Sequence, residues 1–391
     1  MLDKAQQLKD EIIRLRRDIH AHPELGFREF RTAKLVADTL AEIGYTDIKT
    51  EVGRTGVVAQ IGTGNGPTIA IRADMDALPI VEAVNTPFKS TNNGVMHACG
   101  HDSHTAMLLG VAHLLRQSFA ENGSQWQGNV RLLFQPSEEM FDENGISGAT
   151  AMITDGALEG VDNVIALHII SNAPAGMLGF NDGYSMAAVD SFEAWVRGDG
   201  GHGAYPHQGS DPLFILSTIL PAIYAIPSRR INPMEPCVIS LGEIRGGAAP
   251  NVIPGEVYVQ GTIRSFSEEI RAQLWVELER MFKLAEGLGG SYELKIHKGY
   301  PAVYNDPQVN NWMRAVAQDL VGEQAIVNQS FGMGAEDFAY MTQAAPGAMF
   351  ILGGSNGGGN HHTNVFDIDE NVFPLGVAML AETARRFVMG K

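Results

Sequence analysis

Apolar residues mark one helical face from the first turns of the chain. Leu8, Ile12, Leu15 and Ile19 recur at three- and four-residue spacing, so residues 2–20 are predicted as one amphipathic helix. His20-Ala-His-Pro-Glu-Leu-Gly-Phe27 interrupts it, and the His20/His22 pair reads as a helix end and a Pro turn rather than a ligand pair. A second helix is expected over 30–43, ended by Gly44. Apolar runs then predict strands near 46–52, 56–61 and 67–73. Gly62-Thr-Gly-Asn-Gly66, between the last two, reads as a hairpin turn. Helix 102–117, strand 129–134, helix 147–154 and strand 164–168 follow. Three predicted strand ends carry polar residues: Asp74 and Asp76, Glu138 and Glu139, and His168. In an open, mostly parallel sheet, functional groups sit at such ends.

The pattern changes after about Gly183. Residues 189–196 alternate as a strand, and a helix beginning at Asp211-Pro212 puts Ile215, Ile219, Ile223 and Ile226 on one face. Strands near 236–244 and 254–263, a helix over 267–287 and a strand over 291–297 complete a β-α-β-β-α-β order, that of a ferredoxin-like module. Beyond Tyr300-Pro301 the first pattern resumes with helix 306–321, strand 348–353 and helix 370–389. The expected fold is therefore α/β in two domains. Residues 1–183 and 300–391 form a discontinuous catalytic domain, a mostly parallel sheet flanked by helices. Residues 184–299 form an inserted ferredoxin-like α+β satellite domain.

Composition narrows the function classes. The 391 residues carry a formal net charge of −17, without the basic footprint of a nucleic-acid binder. Two cysteines, Cys99 and Cys237, make no disulfide framework and fit a reducing compartment. The charged N-terminus does not read as a signal peptide, and no apolar run is expected to span a membrane, so a cytoplasmic protein is expected. No Walker-type or dinucleotide motif follows a predicted strand.

The chemistry concentrates in Arg72-Ala-Asp-Met-Asp-Ala-Leu-Pro79 and Met96-His-Ala-Cys-Gly-His-Asp-Ser-His104. Cys99, His101 and His104 offer thiolate and imidazole donors, the set that zinc, nickel, cobalt and manganese sites use. A polar loop with a helix cap would explain one histidine, but not this density beside Asp-x-Asp. Glu138 and Glu139 are adjacent on an extended segment, so their side chains diverge and can hold different roles. One carboxylate can bind metal while the other takes a proton from a metal-activated water and passes it to a leaving nitrogen. His168 could equally be a satisfied core histidine, and His202, in Gly200-Gly-His-Gly-Ala-Tyr-Pro-His207, a turn histidine or one close to a ligand.

These segments, with Phe134-Gln-Pro-Ser-Glu-Glu139, Ala166-Leu-His168, Asn251-Val-Ile-Pro254 and Gly334-Ala-Glu-Asp-Phe338, resemble the peptidase M20 family in its amidohydrolase branch, in order along nearly the whole chain. The branch includes N-acyl-amino-acid, hippurate and auxin-conjugate hydrolases. The resemblance implies two divalent metal ions per subunit (zinc, manganese, nickel or cobalt). Cys99, His101, Glu139 and His168 would be ligands, with Asp76 orienting them from beneath. It implies Glu138 as general base and His202 as the oxyanion-stabilising histidine, contributed by the satellite domain of a partner subunit in a homodimer. Asn251 and Arg264 would contact the substrate. The family's usual His-Ser-Pro or His-Asn-Pro is replaced by His361-His362-Thr, and register on Phe366-Asp367 makes His362 the last ligand, with His361 as the alternative. The expected activity is hydrolysis of the amide of a small N-acyl amino acid. A metallo-dipeptidase or carboxypeptidase, or a non-catalytic peptide-binding relative, is the alternative.

Overall fold

A computed structural model describes residues 1–390. The described residues divide into two compact units, residues 1–183, 304–331 and 337–390, and residues 184–303 and 332–336.

The first unit is built on an eight-stranded sheet. In spatial order its strands are Asp47–Val52, Gly56–Gly62, Asn129–Gln135, Thr68–Asp74, Asn163–Pro174, Gly347–Ser355, Leu178–Phe180 and Ile326–Asn328. The four central strands, from Asn129–Gln135 to Gly347–Ser355, are mutually parallel. All seven residues of Thr68–Asp74 are buried, as befits a strand covered on both faces. Helix His101–Asn122 is buried along most of its length and packs on helices Lys9–Ala21, Phe30–Ile43 and Phe373–Val388. The parallel register sets Asp74 level with Gln135, and Arg72 level with Ala166. The ends that carry Asp74, Glu138 and Glu139 therefore open on one edge of the sheet, beside His168.

Several expectations are corrected. Gly62–Gly66 is no hairpin, because the strands on either side of it do not pair. Asn129–Gln135 inserts between them, antiparallel to one and parallel to the other. A local turn signal could not see that distant strand. The strand holding His168 does not end there but runs to Pro174, because Gly347–Ser355 continues beside it and pairs Ile351 with His168. The first helix is two, Leu2–Gln7 and Lys9–Ala21, broken at Leu8 where neither Pro nor Gly marks it. Strands Leu178–Phe180 and Ile326–Asn328 and helix Phe338–Ala344 went unpredicted, being too short to carry a period.

The second unit has a four-stranded sheet in the order Cys237–Arg245, Glu256–Ser265, Ala188–Arg197, Ser291–Lys298, every neighbouring pair antiparallel. Counted along the chain this is second, third, first, fourth, the ferredoxin-like order. Ala188–Arg197 alternates strictly between buried and half-buried, with Phe192, Ala194 and Val196 inward. The predicted helix over 267–287 is Glu268–Phe282 followed by a short turn, Leu284–Gly287. Helix Pro212–Arg229, contrary to expectation, is long and apolar enough to cross a membrane by length and composition. Its buried residues Ile215, Leu216, Ile219, Ile223 and Ile226 belong to this unit's core, so the apolarity has a packing explanation.

Candidate metal centre

The centre grows from the turn into helix His101–Asn122. Gly100, at φ 96°, allows Cys99 and His101 to be presented together. A Cβ on it would lie 2.7 Å from Ile169 Cγ2, so no other residue fits without movement. Around this turn the donor atoms of Cys99, His101 and His168, of Cys99, Glu139 and His362, and of His101, Glu138 and Glu139 form three overlapping groups, each within 4.8 Å. Cys99 Sγ lies 3.6 Å from His168 Nε2, and Glu139 Oε1 lies 3.1 Å from His362 Nε2.

Hydrogen bonds fix which nitrogen faces inward. His101 Nδ1 donates to the Asp76 carbonyl at 2.9 Å, with Asp76 Oδ1 at 3.2 Å. Its Nε2 is buried without a hydrogen-bond partner. His168 Nδ1 donates to the Ile169 carbonyl at 2.7 Å, which leaves its Nε2 toward Cys99. Asp76 also accepts the Glu139 N–H at 3.0 Å through Oδ2, so one carboxylate orients both a histidine and the backbone of Glu139. Donors oriented in this way, with an unsatisfied buried nitrogen among them, fit a bound cation.

The charge balance points the same way. Burial pulls the His101 imidazole down, yet Asp74 and Cys99 hold it well above the usual histidine range. Hydrogen bonds to Cys99 and Glu139 push His362 up to about 10. Burial drives the His168 imidazole well down, and burial with the Glu139 charge raises the Cys99 thiol. An anionic nest that forces protons onto two of its histidines is one that a divalent cation would neutralise instead.

The structure brings His362 to Glu139, not His361. His362 adopts φ 59° and its N–H donates to the Ala98 carbonyl at 2.9 Å. His361 packs instead beside His168, with ring centroids 5.6 Å apart. Its Nε2 accepts the Ser171 N–H at 3.0 Å, and its ring packs on Phe366 with centroids 5.0 Å apart.

His104 was a candidate donor, but both its nitrogens are engaged. Nδ1 donates to Asp74 Oδ1 at 2.7 Å, and Nε2 accepts the Ile169 N–H at 2.9 Å. It is a strut between Asp74 and the backbone beside His168.

Glu138 is buried, and its Oε1 accepts the Asp337 N–H at 3.3 Å. Sequence reasoning missed what stands behind it. Asp337 Oδ1 accepts from Gln135 Nε2 (2.8 Å) and Arg72 Nη2 (3.1 Å), and its Oδ2 from the Ala149 N–H (2.9 Å). Arg72 is itself tied to Asp74 at 2.7 Å. The available signal was an arginine and an aspartate inside an otherwise apolar central strand, where charges persist only when paired.

In the second unit, His202 is exposed on the two-residue strand Gly201–His202, which pairs with Val252–Ile253 beside Asn251. His202 Nδ1 accepts the Ala204 N–H at 3.1 Å, so the ring proton sits on Nε2. Arg264 is not with them. It lies near the far end of strand Glu256–Ser265, roughly 27 Å along at ~3.4 Å per residue from the end where Gly255 meets Gly198.

Comparison with known proteins agrees with this geometry. The chain is 40% identical to thermostable carboxypeptidase 1 of Saccharolobus solfataricus over 98% of its own length and 96% of that protein's. It is 39% identical to an N-acetyl-L-cysteine deacetylase of Bacillus subtilis over 97% and 89%. Among solved structures, the YXEP protein of Bacillus subtilis, described as a dinuclear metal-binding peptidase of the M20 family, superposes with a TM-score of 0.84 at 33% identity, covering 98% of this chain and 99% of that one. The sequence profile described as "Peptidase family M20/M25/M40" matches residues 70–386. With relatives in its amidohydrolase branch, the chain belongs to this family and is a hydrolase of amide bonds.

Proposed function

We propose that this protein hydrolyses the amide bond of N-acyl amino acids, releasing a carboxylic acid and a free amino acid, with two divalent metal ions held by Cys99, His101, Glu139, His168 and His362. The observation that carries the reading is the different anchoring of the two adjacent carboxylates. Both reach His101 Nε2 at about 4 Å, but Glu139 Oε1 also meets His362 Nε2 at 3.1 Å, while Glu138 Oε1 is tied instead to the Asp337 N–H at 3.3 Å. Bound divalent ions would polarise the amide carbonyl and acidify water. Glu138 takes the proton from the attacking water and delivers it to the leaving nitrogen. His202, with its proton on Nε2, is suited to donate to the developing oxyanion. Arg264 pairs with the substrate carboxylate and Asn251 adds a polar contact.

His202 and Asn251 lie together but far from Arg264 along the second unit, which supports drawing them from different subunits of a homodimer. Leu213, Phe214 and Tyr224 are exposed on helix Pro212–Arg229, and Cys237–Arg245 is an edge strand with an unpaired side. These two features supply an apolar face and a pairing edge for a second copy. A reducing cytoplasm suits Cys99 as a thiolate ligand.

The deacetylase relative favours a small acyl group, whereas the carboxypeptidase relative favours a peptide. The test is turnover of N-acetyl, N-benzoyl and indole-acyl amino acids against N-blocked dipeptides, with defined metals added back to stripped protein. Higher kcat/KM on the N-acyl amino acids supports the reading. Higher kcat/KM on the dipeptides replaces it with the carboxypeptidase reading.

A further inference from the structure

Backbone strain in the first unit gathers around one carboxylate outside the metal cluster. Of the five non-glycine residues with positive φ among the described residues, three are Phe27 (58°), Arg54 (80°) and Ser137 (44°). They are distant in sequence, and Glu29 ties their segments together. Glu29 Oε1 accepts the N–H groups of Phe27 (3.1 Å) and Ser137 (2.8 Å), and Oε2 accepts the Thr55 hydroxyl (2.5 Å). The approach is close as well: a Cβ on Gly26 would fall 2.4 Å from Ser137 Oγ.

A left-handed backbone at a residue bearing a Cβ is unfavourable and persists only where its surroundings over-determine it. At Ser137 the constraints are the Glu29 carboxylate on its N–H, the Gly148 N–H on its carbonyl at 2.8 Å, and a bond from its hydroxyl to the Met140 carbonyl at 3.0 Å. Ser137 immediately precedes Glu138, so its φ and ψ set the direction in which Glu138 leaves the strand. Glu29 is fully buried, and its bonded partners are two backbone N–H groups and a hydroxyl rather than a cation. Burial and the nearby Asp76 charge push its carboxyl up to about 7. An apolar side chain would be less costly here if packing were the only requirement.

We propose that Glu29 is a positioning residue for the general base: by clamping the N–H of Ser137 it holds the left-handed turn that aims Glu138 at the substrate while Glu139 stays in the metal cluster. The proposal rests on the reading of Glu138 as base, and it is tested by a measurement that does not need that reading. Metal-loaded wild type, Glu29→Ala and Glu29→Gln are compared in kcat, KM, metal content and hydrogen exchange of the peptide spanning 135–141.

Glu29→Ala is expected to lower kcat by roughly 10²-fold, the scale of a misplacement near 1 Å, with KM within about twofold. It should keep both metals and speed exchange in 135–141. Glu29→Gln keeps an oxygen for the two N–H groups and an amide for the Thr55 oxygen, so it should restore kcat and protection. If Glu29→Ala does not fold, Thr55→Val, which removes only the Oε2 contact, should show the same effects in smaller measure. Unchanged exchange in 135–141, loss of metal, or equal damage in Glu29→Gln and Glu29→Ala would overturn the proposal. Should wild type turn over no amide, the functional reading fails, and the exchange data still decide whether Glu29 holds this turn.

Discussion

His104→Ala tests whether the centre depends on residues behind the ligands. The side chain is buried and makes two bonds, from Nδ1 to the Asp74 carboxylate at 2.7 Å and from the Ile169 N–H to Nε2 at 2.9 Å. A hydrogen bond to a charged group contributes about 1.5–3 kcal/mol, and a buried N–H left without a partner costs about 1–3 kcal/mol. Asp74 keeps its bond to Arg72, so the carboxylate is not stranded. The expected destabilisation is therefore about 3–5 kcal/mol, which in a unit of this size lowers Tm by roughly 6–10 °C. Ile169 follows His168 directly, so loosening its N–H also loosens a ligand, and metal affinity should fall by about 10–100-fold. Calorimetry gives the first quantity and competition against a chelator the second. A Tm within about 1 °C of wild type and unchanged metal affinity would refute the reasoning. Loss of one metal per chain, with the other bound as before, would mean that His104 is itself a ligand.

Other expectations follow from the same geometry. Glu138→Gln should keep both metals and lose at least ~10²-fold in kcat, whereas Glu139→Gln should lose metal; exchanged phenotypes would reverse the two roles. Chelation should abolish turnover and Cys99→Ala should lower metal content by elemental analysis, while a fully active metal-free preparation would remove the metal reading. His202→Ala and Glu138→Gln homodimers should each be nearly inactive, and their heterodimers should recover about half of wild-type activity through one intact site; no recovery despite proven subunit exchange would place His202 within its own chain's site. Glu29 is raised from 4.5 to about 7, so its contribution to stability is full below pH 4.5 and is lost as pH rises through 7. Glu29→Gln should thus match wild type at pH 4.5 and exceed it at pH 8 by up to ~3 kcal/mol in thermal unfolding.

The long elements were legible because each carries its own period. Ile215, Ile219, Ile223 and Ile226 mark a helix, and Phe192, Ala194 and Val196 a strand, whichever neighbours they later meet. The donor types were legible too, since Cys99, His101 and the Glu138-Glu139 pair stand in compact motifs. Pairing and orientation were not. Whether Gly62–Gly66 makes a hairpin depends on Asn129–Gln135 inserting between its flanking strands, more than sixty residues away. That His362 rather than His361 meets Glu139 depends on the backbone bond to Ala98, and that His104 is a strut rather than a donor depends on the Ile169 N–H reaching its second nitrogen. Which residues bring thiol, imidazole and carboxylate chemistry is written in the chain's motifs. The tertiary structure decided where each lone pair points, because that is set by hydrogen-bond partners such as Asp76, Asp337 and Glu29, which reach the site only when distant segments pack.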